Sequence, residues 1–168
     1  MNLYLVRHGE AGNVGGTITR DAERPLTPRG EEDARLIGSA LALLDGGISQ
    51  ILSSPLLRAM KTAQIIASCI PGNPPVISSG TLAPGLQPRS LLADLKGAAP
   101  VQGMMIVGHQ PDMSELIAFL VADGSYAEIA FPPGAAAKLT LEPGADPPDA
   151  RLHWLFSPDV VRRLSART

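Results

Sequence analysis

The sequence predicts an α/β protein, a largely parallel sheet covered by helices on both faces. Three observations predict it. The runs Leu3 to Val6 and Met104 to Val107 are short and continuously apolar, as suits strands buried on both faces. Between such runs, apolar residues recur at spacings of three and four, which marks amphipathic helices. The two patterns alternate along the chain, as in β-α-β units.

Leu3 to Val6 is the first strand, ended by Arg7-His8-Gly9. From Gly9 to Arg24 the chain is polar, aperiodic and glycine-rich, with Gly12, Gly15 and Gly16. It reads as a long surface loop, and loops beyond ~12 residues in a compact domain are often functional. A helix then starts: Thr27 as N-cap, Pro28 at the first helical position, Glu31 and Glu32 in the first turn. Ala34, Ile37, Leu41 and Leu44 form its buried face, and Gly46-Gly47 ends it.

Ile48 to Ser53 reads as the second strand. Ser54-Pro55 opens a helix with Ala59, Ala63 and Ile66 on one face, and Pro71 to Pro75 break it. Val76-Ile77 is a weak third strand. A loop from Thr81 to Pro88 precedes a short helix, Arg89 to Leu95. Met104 to Val107 is the central strand, ended by Gly108-His109. Asp112 to Val121 is the next helix, with Met113, Leu116, Ile117 and Leu120 facing inward. Ile129 to Phe131, Ala136 to Leu141 and Arg151 to Phe156 read as strands between Pro/Gly turns. Asp159 to Ala166 is the closing helix.

Length and composition bound the rest. The 168 residues form a single expected domain, 1–168, and the 45% hydrophobic content can fill an ordinary core. The formal charge of −2 argues against nucleic acid as a partner. One cysteine, Cys69, makes neither an internal disulfide nor a zinc site by itself. No apolar run approaches the ~20 residues of a membrane span. Met1 to His8 lacks the basic segment of a signal peptide. The expectation is a cytoplasmic protein without a membrane partner. Gly and Pro make up about a fifth of the chain, and only 4% of it is aromatic.

The candidate chemistry lies at strand ends. His8 and His109 each directly follow an apolar strand, and in open α/β sheets ligand sites form beyond the carboxyl ends of the strands. Arg7 adjoins His8, Arg58 lies early in the helix after the second strand, and Arg24 ends the glycine-rich loop. Guanidinium groups bind phosphate with paired hydrogen bonds and stay charged. Two histidines and three arginines suit a tetrahedral dianion. Each residue alone also has a plainer reading, as a solvated arginine or a strand-end histidine bound to backbone.

Other sites fit less well. The chain has no P-loop, and Gly9 to Gly15 does not match the dinucleotide fingerprint. A metal held by His8, Glu10 and His109 would face repulsion from three arginines, so no metal and no cofactor is expected. Ser53 and Ser54 lack a nucleophile-elbow context. His153, inside a late strand, reads as structural.

Leu5-Val6-Arg7-His8-Gly9-Glu10, Ser53-Ser54-Pro55-Leu56-Leu57-Arg58-Ala59 and Val107-Gly108-His109-Gln110-Pro111 resemble the three motifs of the histidine phosphatase superfamily, which includes phosphoglycerate mutases and acid phosphatases. The short length, Arg24-Pro25-Leu26-Thr27, Phe131-Pro132-Pro133-Gly134-Ala135 and Leu152 to Pro158 resemble its SixA-type branch, the bacterial protein phosphohistidine phosphatases. The resemblance implies a three-layer α/β/α sandwich with a mostly parallel sheet, of the phosphoglycerate mutase-like kind. It implies a phosphatase in which His8 is the nucleophile, with Arg7, Arg58 and His109 as catalytic partners. Arg7, Arg24, Arg58 and His109 would bind the phosphoryl oxygens.

One departure sharpens the expectation. Many members carry an acidic general acid after the third strand, but Gly80 to Leu86 has no carboxylate here. Asp94 lies downstream on the next helix, and Glu10 and Asp112 are other candidates. Alkoxides leave poorly without a proton, whereas a phosphohistidine already has a labile P–N bond. The expected substrate is therefore phosphohistidine on a protein partner of the histidine phosphotransfer kind. The alternatives are a phosphomonoesterase for small phosphorylated substrates and an inactive module that binds phosphorylated partners.

Overall fold

The computed structural model describes residues 1–15, 18–44, 47–97, 101–122, 127–142 and 148–166. Its elements are β1 (Asn2–Arg7), α1 (Pro28–Leu44), β2 (Gln50–Ser53), α2 (Leu57–Cys69), β3 (Val76–Ser78), α3 (Pro88–Gly97), β4 (Gly103–Gly108), α4 (Asp112–Val121), β5 (Ala136–Glu142), β6 (Asp149–Phe156) and α5 (Pro158–Ser165). Short 3-10 turns lie at Asp21–Glu23 and Gly80–Leu82.

The described strands form one six-stranded sheet in the order β3-β2-β4-β1-β5-β6. β3, β2, β4 and β1 run parallel, and β5 and β6 are antiparallel. The pleat of β1 sorts its side chains between two cores. Leu3 and Leu5 join Met104, Ile106, Leu91, Leu116 and Ile117 on the α3/α4 face. Tyr4 and Val6 join Met105, Val107, Ile37, Leu41 and Ile66 on the α1/α2 face. The sheet with helices on both faces is the expected α/β/α sandwich. All six residues of β4 are buried, so its continuous apolar run reflects burial on both sides.

Local chemistry explains the start of α1. Thr27 caps α1, its Oγ1 accepting from the Gly30 N–H at 3.0 Å. Elsewhere the structure departs from expectation. The stripe of α1 ends at Leu41; Leu44, its last residue, is 58% exposed. Gly46, expected as part of the helix stop, lies outside the described residues. Pro55 does not open α2, which begins at Leu57. Ser54 Oγ instead accepts from the Leu56 N–H at 3.3 Å and turns the chain first. Ile129 to Phe131 is not a strand. The Phe131 carbonyl accepts from Arg7 Nη1 at 3.0 Å rather than from a ladder neighbour. Pro132 and Pro133 follow it and have no N–H to extend a ladder. Among the described residues no helix is long and apolar enough to cross a membrane.

Candidate active site

β1 and β4 are adjacent and in register, with Arg7 opposite Gly108. Their carboxyl ends therefore deliver His8 and His109 to one place. The His8 N–H donates to the Gly108 carbonyl at 3.0 Å, extending the ladder past the last strand residue. The two imidazoles lie with ring centroids 5.0 Å apart. On the other side of β1, the Gly134 N–H reaches the Arg7 and His8 carbonyls at 3.2 and 3.1 Å. Gly134 adopts φ 75°, where glycine is favoured.

α2 brings the third expected residue. Arg58 lies in its first turn with a side chain 5% exposed. Arg58 Nε donates to His8 Nε2 at 3.2 Å, and Nη2 lies 3.5 Å from His109 Nδ1. Thr62, one turn on, locks the helix to the site: its Oγ1 accepts from the Gly9 N–H at 3.1 Å and donates to the Arg58 carbonyl at 2.7 Å. Thr62 was not singled out from the sequence, although it lies four residues after Arg58 on the same helix face.

The His8 ring has a defined tautomer. Nδ1–H donates to the Gly9 carbonyl at 2.7 Å, leaving Nε2 as the acceptor of the Arg58 bond. Burial holds the His8 imidazole down at about 4, reinforced by the charges of Arg58, Arg7 and Arg24 and opposed by the Gly9 hydrogen bond. Burial likewise holds His109 at about 4, helped by the nearby His8 and Arg58. His109 Nε2 and Ser54 Oγ are hydrogen-bonded at 2.7 Å, so Ser54 orients a histidine. Both imidazoles are neutral at pH 7.

Arg7 is anchored by Nη1 on the Phe131 carbonyl, while its Nε–H is buried with no acceptor among the described residues. Arg24 points inward from the loop, its Nε donating to the Gly12 carbonyl at 2.5 Å. One carboxylate joins this cationic group. Asp21 accepts from Arg24 Nη1 and Arg58 Nη2, both at 2.9 Å, and its carbonyl accepts from Arg58 Nη1 at 2.7 Å. These bonds to Arg24 and Arg58 lower the Asp21 pKa. Asp21 escaped the sequence reading; its only signal was an acidic residue three positions before Arg24.

His8, His109, Arg7, Arg24 and Arg58 thus come together, whereas His153 bonds Thr140 on the exposed face of β5–β6. The candidate acids are engaged elsewhere. Glu10 accepts from Thr27 Oγ1 at 2.8 Å, Asp94 from Thr81 Oγ1 at 2.6 Å, and Asp112 from the Gly85 N–H at 3.0 Å. Among the described residues no group of three or more His, Cys, Asp or Glu side chains is arranged to hold a metal ion. A neutral nucleophilic nitrogen amid guanidinium donors can attack phosphorus and stabilise the spreading charge on its oxygens.

The chain is similar to known proteins over much of its length. The sequence model of the histidine phosphatase superfamily (branch 1) matches residues 3–80. A relative from Picosynechococcus sp., an uncharacterized protein, is 41% identical over 68% of this chain and 70% of its own length. Phosphohistidine phosphatase SixA of Escherichia coli is 29% identical over 99% of both chains. The solved structure of the protein histidine phosphatase SixA complexed with tungstate superposes with a TM-score of 0.81. It is 25% identical and covers 96% of this chain and 99% of its own.

Proposed function

Because the chain belongs to the histidine phosphatase superfamily, we propose that it hydrolyses phosphohistidine on a protein partner through a covalent intermediate on His8. The observation that carries this reading is the state of the His8 ring. Its Nδ1–H is tied to the Gly9 carbonyl, and its neutral Nε2 faces Arg58. In the first step Nε2 attacks phosphorus in line, the new P–N bond forms, and the substrate's P–N bond breaks. The departing ring nitrogen keeps the electron pair and takes a proton from solvent. In the second step water attacks the phosphorus of phospho-His8, releasing inorganic phosphate and restoring the free imidazole. Arg7, Arg24, Arg58 and neutral His109 donate to the phosphoryl oxygens, where charge accumulates in both steps.

The substrate class follows from the acids. Glu10, Asp94 and Asp112 each have their carboxylate hydrogen-bonded to a group other than the two histidines. Asp21, the carboxylate that joins the arginines, is kept ionised by its bonds to Arg24 and Arg58 and has no proton to give. A site without a poised general acid favours a leaving group that departs without strong protonic help, and a phosphoramidate has one. The SixA-like relatives agree in kind: one is named a phosphohistidine phosphatase, and one was solved with tungstate, a tetrahedral oxyanion.

The test exposes the protein to a labelled phosphohistidine protein and, in parallel, to a labelled alkyl phosphate. Wild type acquires label that survives base and is lost in acid, the signature of a P–N bond, and turns over the phosphohistidine protein faster. The His8→Ala variant folds but carries no label and loses turnover by at least about a thousandfold. Label retained in His8→Ala removes His8 as nucleophile. Preference for the alkyl phosphate removes the substrate assignment.

A further inference from the structure

The site already holds an anion of its own. Arg58 is almost fully buried, and three of its nitrogens are engaged: Nε by His8, Nη1 by the Asp21 carbonyl and Nη2 by the Asp21 carboxylate. The second Asp21 oxygen takes Arg24 Nη1. A phosphoryl group on His8 Nε2 needs donors from these same two guanidinium groups.

We propose that Asp21 is an internal counter-anion of the phosphoryl cradle, occupying Arg58 and Arg24 in the free protein and displaced by the incoming tetrahedral oxyanion. The assignment rests on the phosphate-binding reading of the site given above. Three features carry it. First, a carboxylate and a dianion on one guanidinium repel each other, so binding of one weakens the other. Second, the two partners differ in freedom. Arg58 is fixed in α2 and 5% exposed, whereas the Asp21 side chain is 55% exposed on a three-residue turn with no buried residue. Asp21 can move into water and Arg58 cannot follow. Third, a buried guanidinium without a partner is costly, and Asp21 supplies the partner between turnovers. The arginines therefore stay aimed in the empty site, at the cost of weaker affinity for bare anions. Inorganic phosphate, the product, is the anion most affected, so Asp21 eases its release.

Sulfate is the probe, because it stays a dianion near neutral pH. Its affinity is measured by calorimetry at pH 7 for wild type, Asp21→Asn, Asp21→Ala and Arg58→Ala, beside the melting temperature of each free protein. Both Asp21 variants melt lower than wild type without sulfate yet bind it about fivefold to tenfold more tightly. Inhibition by inorganic phosphate strengthens in parallel. A merely structural Asp21 lowers the melting temperature without that gain in affinity. Sulfate affinity in Asp21→Ala that is unchanged or weaker overturns the proposal. Wild-type affinity in Arg58→Ala instead shows that the anion lies elsewhere, and the phosphate-cradle reading fails with it.

Discussion

At the residue scale, the unusual quantity is the basicity of two imidazoles, the buried His109 and the half-buried His8. His8 and His109 both sit at about 4, chiefly because burial disfavours the charged ring. Two consequences follow with definite sign. The unprotonated, nucleophilic form of His8 persists as pH falls through the ordinary histidine range near 6.5. The acid limb of kcat/KM in a pH profile therefore falls near pH 4 to 5, and an acid limb near 6.5 would contradict the proposed nucleophile. The same depression acts on folding. Between about 6.5 and 4 the unfolded chain takes up protons that the folded chain refuses, so stability rises with pH across that window. Thermal melts at pH 7 and pH 5 register it as a loss of several degrees at the lower pH. Replacing His109 by Gln reduces that loss. The histidines of the site were legible in the sequence because the chain has only three and two of them directly follow an apolar strand, and the arginines because Arg7 adjoins His8, Arg58 lies early in a helix and Arg24 ends the glycine-rich loop. Asp21 was not, because a single carboxylate in an aperiodic loop carries no local signal of what it touches.

At the scale of elements, the site depends on how closely β1, the loop after it and α1 approach. A methyl group on Gly30 would run into the backbone of Glu10. A methyl on Gly9 would lie 2.7 Å from the Gly30 carbonyl oxygen. Neither backbone can give way without moving the loop that follows His8. Gly30→Ala is expected to destabilise the protein by about 2–4 kcal/mol and to depress turnover beyond what stability explains. Gly108→Ala is the contrast, since its methyl would meet the flexible end of Met113 at 2.7 Å; it costs about 1 kcal/mol. Denaturant unfolding of the two variants checks the order, and equal effects would show that the close approach does not matter. The helix from Asp112 to Val121 was read from the sequence with its observed bounds, because its apolar spacing and acidic first turn agree. Ile129 to Phe131 was misread because a short apolar run looks the same whether it pairs in a sheet or lends a carbonyl to the half-buried Arg7. Pro55 misled for a related reason: a proline after a serine marks a turn as readily as a helix start.

At the scale of the molecule, the strand order decides what the site is. β1 and β4 lie at the middle of the sheet with strands on both sides, and β3 and β6 lie at its edges. Native-state hydrogen exchange is expected to be slowest in β1 and β4 and fastest in β3 and β6, because inner strands open only on global unfolding. Fast exchange in β4 would mean that the floor of the site is not its most stable part. The sequence alone determined the alternation of strands and helices, the apolar strands that end in His8 and His109, and the three arginines. These are properties of local pattern: periodicity, chain punctuation and residue type survive without a fold. Only the tertiary structure decided that β1 pairs with β4, that β5 and β6 join antiparallel, and that Arg58 bridges two histidines distant in sequence. It also decided that Asp21 lies among the arginines. Those outcomes depend on which surfaces bury one another and which charges must share a desolvated space, and neither condition exists until the chain has closed on itself.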